Sequence, residues 1–180
     1  MRIKGRAWKL GDGISTDHIT PGRFFHLRSD PPELAKHCLE DTLPAFAREV
    51  RPGDFLVAGR NFGQGSSREH APLVIKLLGT GAVLAKSFAR IFFRNCVNVG
   101  LAPLIVDTDG IRDGDQLEAD LDTGLIRDLT TGEELRAPPL PPVMQRIIAD
   151  GGLVAHVQKH GKLTIDSRIA DSPRGRPWPT

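Results

Sequence analysis

Short apolar segments bounded by polar and glycine-containing turns predict a series of β-strands. Apolar and polar residues alternate around Ile3 and Trp8, which is typical of a half-buried first strand. Continuous apolar runs predict three further strands, at 55–58, 82–85 and 104–106. Their length and the turn residues on either side favour buried strands over helices.

Helical spacing appears between these strands. Apolar residues at positions i, i+3, i+4 and i+7 predict a helix over 68–78. A second apolar face predicts a helix that is capped by Ser87 and ends at Gly100. Earlier in the chain, Asp30 precedes two prolines and is predicted to cap a helix that runs to about Glu40. Strands alternating with helices are typical of an α/β fold.

The pattern changes after residue 107. Asp-Gly and Thr-Gly turns separate short alternating segments, which predicts β-hairpins. The predicted hairpin strands are 116–121, 125–129 and 134–137. A terminal helix is predicted over 143–149. We therefore expect one α/β domain over 1–165 with a C-terminal hairpin region, followed by a flexible tail over 166–180.

Charge and hydropathy exclude several classes of protein. The 180 residues contain 24 Lys and Arg against 22 Asp and Glu, a net charge of +2, which is too balanced for a dedicated nucleic-acid surface. Apolar runs fall far short of the ~20 residues that cross a bilayer, so no membrane partner is expected. The first residues lack the apolar segment of a secretory signal. We therefore predict a cytoplasmic protein.

The cysteine content limits the metal chemistry of this chain. Cys38 and Cys96 are its two cysteines, too few for a four-cysteine zinc site or an iron–sulfur cluster. They look unpaired, which favours a reducing compartment. We predict that this chain binds no metal and no cofactor of its own.

A glycine-rich loop before the helix at 68–78 is the strongest chemical feature. Gly63 and Gly65 precede Ser66, Ser67 and Arg68. Backbone N–H groups at a helix N-terminus favour anions, and the hydroxyl and guanidinium groups suit a carboxylate or a phosphate. Alternatively, the serines only cap the helix, as serine often does.

Two familiar mechanisms do not fit this loop. A P-loop needs a lysine that is absent after Gly65, and a serine-hydrolase elbow needs a Gly-x-Ser-x-Gly motif that is also absent. His70 lies four residues after Ser66 and could approach that serine. We favour a structural role for His70, holding the loop through a backbone hydrogen bond.

Two further candidates lie in the segment 15–30, of which 15–25 is predicted to be a loop. Asp17 and His18 are adjacent and could perform acid–base chemistry or orient an arginine; the alternative is an Asx turn before Pro21. Arg28 follows a stretch that contains the apolar residues Phe24, Phe25 and Leu27, and it could enter a substrate pocket. It could equally be an ordinary surface charge.

Together these features resemble the swivel domain of the aconitase family. The resemblance rests on three segments: Thr16-Asp17-His18-Ile19-Thr20, the string from Asn61 to Pro72 and the string from Ala85 to Asn95. It covers about residues 1–160. The stand-alone size is similar to that of the small subunits of 3-isopropylmalate dehydratase and their homoaconitase-like relatives.

The resemblance implies a β/β/α swivel domain that completes the active site of a larger partner subunit. That subunit is expected to carry a [4Fe–4S] cluster, and the substrate is a small hydroxy-dicarboxylate that is dehydrated and rehydrated. The resemblance makes Ser66 the catalytic base, with Asp17 as a supporting acidic residue. It assigns Ser67, Arg68 and Arg28 to substrate binding. Gly63, Gly65, His18 and His70 then support the loops.

The same resemblance points to conversion of 2-isopropylmalate to 3-isopropylmalate in leucine biosynthesis. The stretch Phe24–Asp30 lies where such enzymes choose their substrate, and dehydratase small subunits often show Tyr-Leu there. Arg28 in this stretch would suit a further acidic group, so homocitrate, citrate or a methyl-substituted malate is the alternative substrate. A non-catalytic carboxylate-binding module is the alternative from another class.

Overall fold

The computed structural model describes residues 1–161, and a seven-stranded mixed sheet is their framework. The strands are β1 (Arg2–Lys9), β2 (Phe55–Ala58), β3 (Ala82–Ala85), β4 (Ala102–Ile105), β5 (Gln116–Asp120), β6 (Leu125–Asp128) and β7 (Glu134–Arg136), in the order β4-β3-β2-β1-β5-β6-β7. β1 to β4 are mutually parallel, whereas β1, β5, β6 and β7 pair antiparallel. The predicted α/β fold with C-terminal hairpins is confirmed.

β1 joins the parallel and antiparallel parts of the sheet. Its first half pairs with β5, from Arg2↔Asp120 to Arg6↔Gln116. Its second half pairs with β2, from Ala7↔Phe55 to Lys9↔Val57. The parallel strands β2 and β3 are buried at every position, as expected of strands covered on both faces.

Seven α-helices and one 3-10 helix pack around this sheet in the described part of the chain. They are α1 (Thr16–Ile19), the 3-10 helix (Gly22–Ser29), α2 (Pro31–Ala35), α3 (Phe46–Glu49), α4 (His70–Leu77), α5 (Arg90–Val99), α6 (Pro142–Ala149) and α7 (Leu153–His160). One buried cluster forms around Trp8, Phe46 and Phe62, and a second around Phe55 and Ile126. None of the helices in residues 1–161 has the length and apolar character needed to cross a membrane.

Several predicted boundaries were wrong for local reasons. The predicted loop 15–25 contains α1 and the first half of the 3-10 helix. α1 forms because Ser15 makes a capping box with His18. The helix from Asp30 is capped as predicted but ends at Ala35. Leu39 then takes a left-handed φ of 58°, which no helix continues.

Three more corrections concern later elements. Ser87 does not cap α5, which begins at Arg90; its hydroxyl instead accepts a hydrogen bond from the Asn61 N–H at 2.8 Å. β4 begins at Ala102 and includes Pro103, which an edge strand tolerates. α7 was not predicted. The predicted tail at 166–180 and the domain boundary at 165 lie outside the described residues.

Candidate active site

The site lies where the loops that follow β1 and β2 run side by side. Carboxyl ends of parallel strands meet at one edge of a sheet, so the loops after them converge. The Gly13 N–H donates to the Arg60 carbonyl at 2.8 Å, and the Gly63 N–H to the Ile14 carbonyl at 2.7 Å. The Gln64 side chain donates to the Gly13 carbonyl at 2.8 Å. These bonds fix the segment that begins α1 against the glycine-rich loop.

Two glycines give the loop its shape. Gly63 has a φ of +78°, and a Cβ there would overlap the Phe92 ring. Gly65 has a φ of +105°, and a Cβ there would lie 3.1 Å from Thr16 Oγ1. Left-handed φ values favour glycine, so both positions require it on conformational grounds. The left-handed backbone and the close contacts therefore explain why glycine occupies positions 63 and 65 of this loop.

Ser66 contacts a residue that sequence reasoning missed. The Ser66 N–H donates to Thr16 Oγ1 at 3.2 Å, and the two side-chain hydroxyl oxygens also lie 3.2 Å apart. Thr16 is 1% exposed, whereas Ser66 is exposed. Thr16 Oγ1 accepts from the Ser66 backbone and keeps one proton and one lone pair, so either hydroxyl can donate to the other. An ionised Ser66 Oγ would leave Thr16 as the donor of the pair. The one indication of Thr16 in the sequence is its place in the segment Thr16-Asp17-His18-Ile19-Thr20, directly before the candidate Asp17.

The fold places Arg68 in contact with Asp17. This contact is the one expected if the acidic side chain orients an arginine. Arg68 Nη1 lies 2.6 Å from Asp17 Oδ1, across 51 residues of sequence. The Arg68 side chain is 28% exposed and that of Asp17 is 60% exposed, so the pair sits at the surface of the site. A surface pair of this kind contributes little to stability, and its main effect is to orient the guanidinium group.

Arg28 and Arg68 converge on one narrow cleft. Their Cζ atoms lie 4.7 and 5.3 Å from the centroid of the Phe25 ring. The cleft is lined by Thr20, Pro21, Phe25, Arg28, Leu34, Arg68 and His70. It therefore combines apolar walls with two guanidinium groups, a combination that suits a small acid with an apolar or a charged substituent.

Ser67 and the start of α4 present unpaired backbone donors. α4 begins at His70 without a side-chain cap, so neither serine caps it and the capping alternative is wrong. Within the described residues, the N–H groups of 67–70 have no hydrogen-bond acceptor. Asn95 fixes this turn from α5 by donating to the Ser67 carbonyl at 3.3 Å. Unpaired N–H donors beside a guanidinium group have the chemistry that suits a carboxylate.

The two histidines occupy different surroundings. His18 is the N3 residue of α1, where its Nδ1 accepts from the Ser15 N–H at 3.0 Å. His70 lines the arginine cleft, and its side chain makes no hydrogen bond to any part of the chain that the structure describes. The predicted backbone hydrogen bond from His70 is therefore absent among residues 1–161. Ser66 and Ser67 do not line the cleft.

The cysteines do not form a cluster site. Cys38 and Cys96 are both free and 0% exposed. Burial raises the pKa of each thiol well above its usual range, which disfavours the thiolate that a metal needs. Neither residue fits an iron–sulfur ligand in this chain.

The fold and this paired-loop site define a swivel domain of the aconitase class. Residues 36–109 match the family described as the aconitase C-terminal domain. The crystal structure of 3-isopropylmalate dehydratase from Methanocaldococcus jannaschii superposes with a TM-score of 0.84 at 48% identity. The match covers 89% of this chain and 96% of that chain.

Sequence relatives make the assignment more specific. The chain is 62% identical over 165 residues to 3-isopropylmalate dehydratase small subunit 2 of Archaeoglobus fulgidus, covering 92% of this chain and all of the relative. It is 54% identical over 160 residues to small subunit 1 of Thermotoga maritima, covering 88% and 96%. The chain belongs to the family of 3-isopropylmalate dehydratase small subunits.

Proposed function

We propose that this chain is the small subunit of a 3-isopropylmalate dehydratase, a hydro-lyase of leucine biosynthesis that is active only with a large subunit. It would interconvert 2-isopropylmalate and 3-isopropylmalate by dehydration and rehydration. The observation that carries the proposal is the pairing of Ser66 with Thr16 beside Arg68. The extensive identity to named small subunits supports the same function.

Ser66 is proposed to remove the proton from the carbon next to a substrate carboxylate. A serine hydroxyl is a weak acid, so its oxyanion needs donors to act as a base. The Thr16 hydroxyl is placed to donate to Ser66 Oγ at 3.2 Å. Ser66 Oγ would then hold the substrate proton as a hydroxyl and return a proton when the double bond is rehydrated.

The substrate carboxylate is proposed to bind at Ser67 and Arg68. The unpaired N–H groups of 67–70 are available to donate to an anion, and Arg68 adds a positively charged guanidinium group. Asp17 keeps the Arg68 guanidinium group oriented, since Asp17 Oδ1 lies 2.6 Å from Arg68 Nη1. Asp17 therefore acts through Arg68 and need not touch the substrate.

The iron–sulfur cluster is proposed to lie on the large subunit, because the buried cysteines of this chain do not fit one. A cluster there would supply the Lewis acid that assists loss of the substrate hydroxyl. A cytoplasmic location is proposed as well, since both thiols are free.

The arginine cleft favours a second substrate class. Arg28 is exposed and stacks on Phe25, so its charge faces the cleft that a substrate side chain would enter. A carboxylate-bearing substrate such as homocitrate or citrate would pair with it, whereas an isopropyl group would not. Arg28→Val should therefore shift the ratio of turnover with 2-isopropylmalate to turnover with homocitrate toward 2-isopropylmalate.

The proposal is tested with Ser66→Ala in the enzyme assembled with its large subunit. We expect turnover to fall at least a thousandfold, while assembly and substrate binding persist. Thr42→Ala is the control, since Thr42 is an exposed hydroxyl residue outside the site and its side chain makes no hydrogen bond within the described residues. Turnover of Ser66→Ala near that of the control would contradict the role of Ser66 as the base.

A further inference from the structure

Three potential metal ligands converge between α6 and α7, on elements that contribute no residue to the candidate active site. Asp150 Oδ2 lies 2.7 Å from His156 Nδ1 and 2.9 Å from His160 Nε2. All three atoms lie within 4.8 Å of one another. The imidazole ring of His156 is 2% exposed, and the side chain of Asp150 is 9% exposed.

The local fold fixes these groups. Asp150 ends α6, and Gly151 and Gly152 turn the chain with φ values of +91° and +122°. α7 then runs back beside Asp150. Its two histidines are four residues apart and so occupy one face of the helix. Their ring centroids are 4.7 Å apart.

The two oxygens of the Asp150 carboxylate have different partners: one faces the two histidines, and the other is held by Lys159. Lys159 Nζ lies 2.6 Å from Asp150 Oδ1, the oxygen that the histidines do not contact. One oxygen facing two imidazoles, with the other held by a donor, is typical of a metal-bound carboxylate.

The geometry points to a divalent transition-metal site of the zinc type, formed by Asp150 Oδ2, His156 Nδ1 and His160 Nε2. Tetrahedral zinc places its ligand atoms about 3.3 Å apart, so Asp150 Oδ2 moves slightly away from both nitrogens to admit the ion. His160 is exposed and can make that adjustment. Three protein ligands leave a fourth position for water.

Two features set the strength of this site. Lys159 carries a positive charge beside the ion and competes for the carboxylate. His156 Nε2 is buried without a hydrogen-bond partner among the described residues, so metal binding at Nδ1 leaves the proton of Nε2 unpaired. Both features make binding weaker than at a closed structural zinc site. Lys159→Met should therefore tighten metal binding.

Zinc titration of the purified chain tests the site. Zn²⁺ at about 100 times its Kd should raise the melting temperature by about 5–10 °C, because the ion clamps α7 to α6. His160→Ala should abolish the shift, and Lys159→Met should lower the Kd. His26→Ala is the matched control, since His26 is an exposed histidine outside the cluster. Bound Co²⁺ should give the intense visible absorption of tetrahedral coordination.

Two outcomes would contradict the metal site. His160 is exposed, so its removal is compatible with folding, whereas replacement of the buried His156 would disturb the packing around it. A zinc-induced shift that His160→Ala retains would place the ion elsewhere. No saturable shift in the wild-type chain, with Lys159→Met equally unresponsive, would show that the cluster is an ion-pair network only.

Discussion

Replacing Thr16 by valine isolates one hydroxyl group beside the proposed base. Valine keeps the branched shape of threonine, so the buried position stays filled. The change removes the oxygen that lies 3.2 Å from both Ser66 Oγ and Ser66 N. The hydrogen bond from Thr20 Oγ1 reaches the Thr16 carbonyl and is unaffected. The variant therefore alters the environment of Ser66 and leaves α1 in place.

The expected loss follows from the charge on Ser66. A hydrogen bond to a charged group contributes about 1.5–3 kcal/mol. At about 1.36 kcal/mol for each factor of ten, the loss of the donor to the serine oxyanion lowers kcat about 10- to 150-fold. KM should change little, because the proposed carboxylate contacts at Ser67 and Arg68 are retained. The free energy of unfolding should fall by no more than about 1.5 kcal/mol.

Steady-state kinetics of the assembled enzyme measure this effect, with urea denaturation as the stability control. Thr16→Ser keeps the hydroxyl and loses only a methyl group, so it should recover most of the wild-type kcat. A Thr16→Val kcat within twofold of wild type would refute the donor role. Equal losses in Thr16→Ser and Thr16→Val would attribute the effect to packing instead.

Three further predictions follow from particular contacts. Asp17→Asn should raise KM several-fold in the assembled enzyme by freeing Arg68, while urea denaturation shows a stability loss below about 1 kcal/mol. Gly63→Ala should lower the free energy of unfolding by about 2–5 kcal/mol, because the left-handed backbone and the Phe92 ring both exclude a methyl group; an unchanged urea midpoint would contradict this. The pKa of Asp150 is depressed in the folded state, so its contribution to stability is present above its unfolded pKa of about 3.9 and is lost as pH falls below it. Urea titrations of wild type and Asp150→Asn should therefore converge at low pH.

The sheet was predictable because its strands carry their signal locally. Phe55–Ala58 and Ala82–Ala85 are continuous apolar runs between turn residues, and both are strands with the predicted bounds. The four-residue α1 is too short to show a helical period, so the sequence pattern missed it. α7 was missed because Gly151 and Gly152 resemble a final stop, whereas here they form a turn between two helices.

The residues of the candidate site can be picked out of the sequence by their type, whereas the contacts between them cannot. Ser66 and Arg68 stood out because of the glycines before them. Their partners Thr16 and Asp17 lie 50 and 51 residues away, and the pairing depends on β1 and β2 being adjacent parallel strands. Sequence periodicity does not give strand order, so the Thr16 hydroxyl could not be assigned to Ser66 before the fold was known.

Turnover of 2-isopropylmalate by this chain, measured with and without its anaerobically prepared large subunit, shows whether the two chains form one active site. We expect no turnover by either chain alone and restored turnover on mixing, abolished by Ser66→Ala and unaffected by Thr42→Ala. Full turnover by the isolated small chain would contradict this expectation. So would a correctly assembled complex that binds but never converts 2-isopropylmalate, homocitrate, citrate or a methyl-substituted malate.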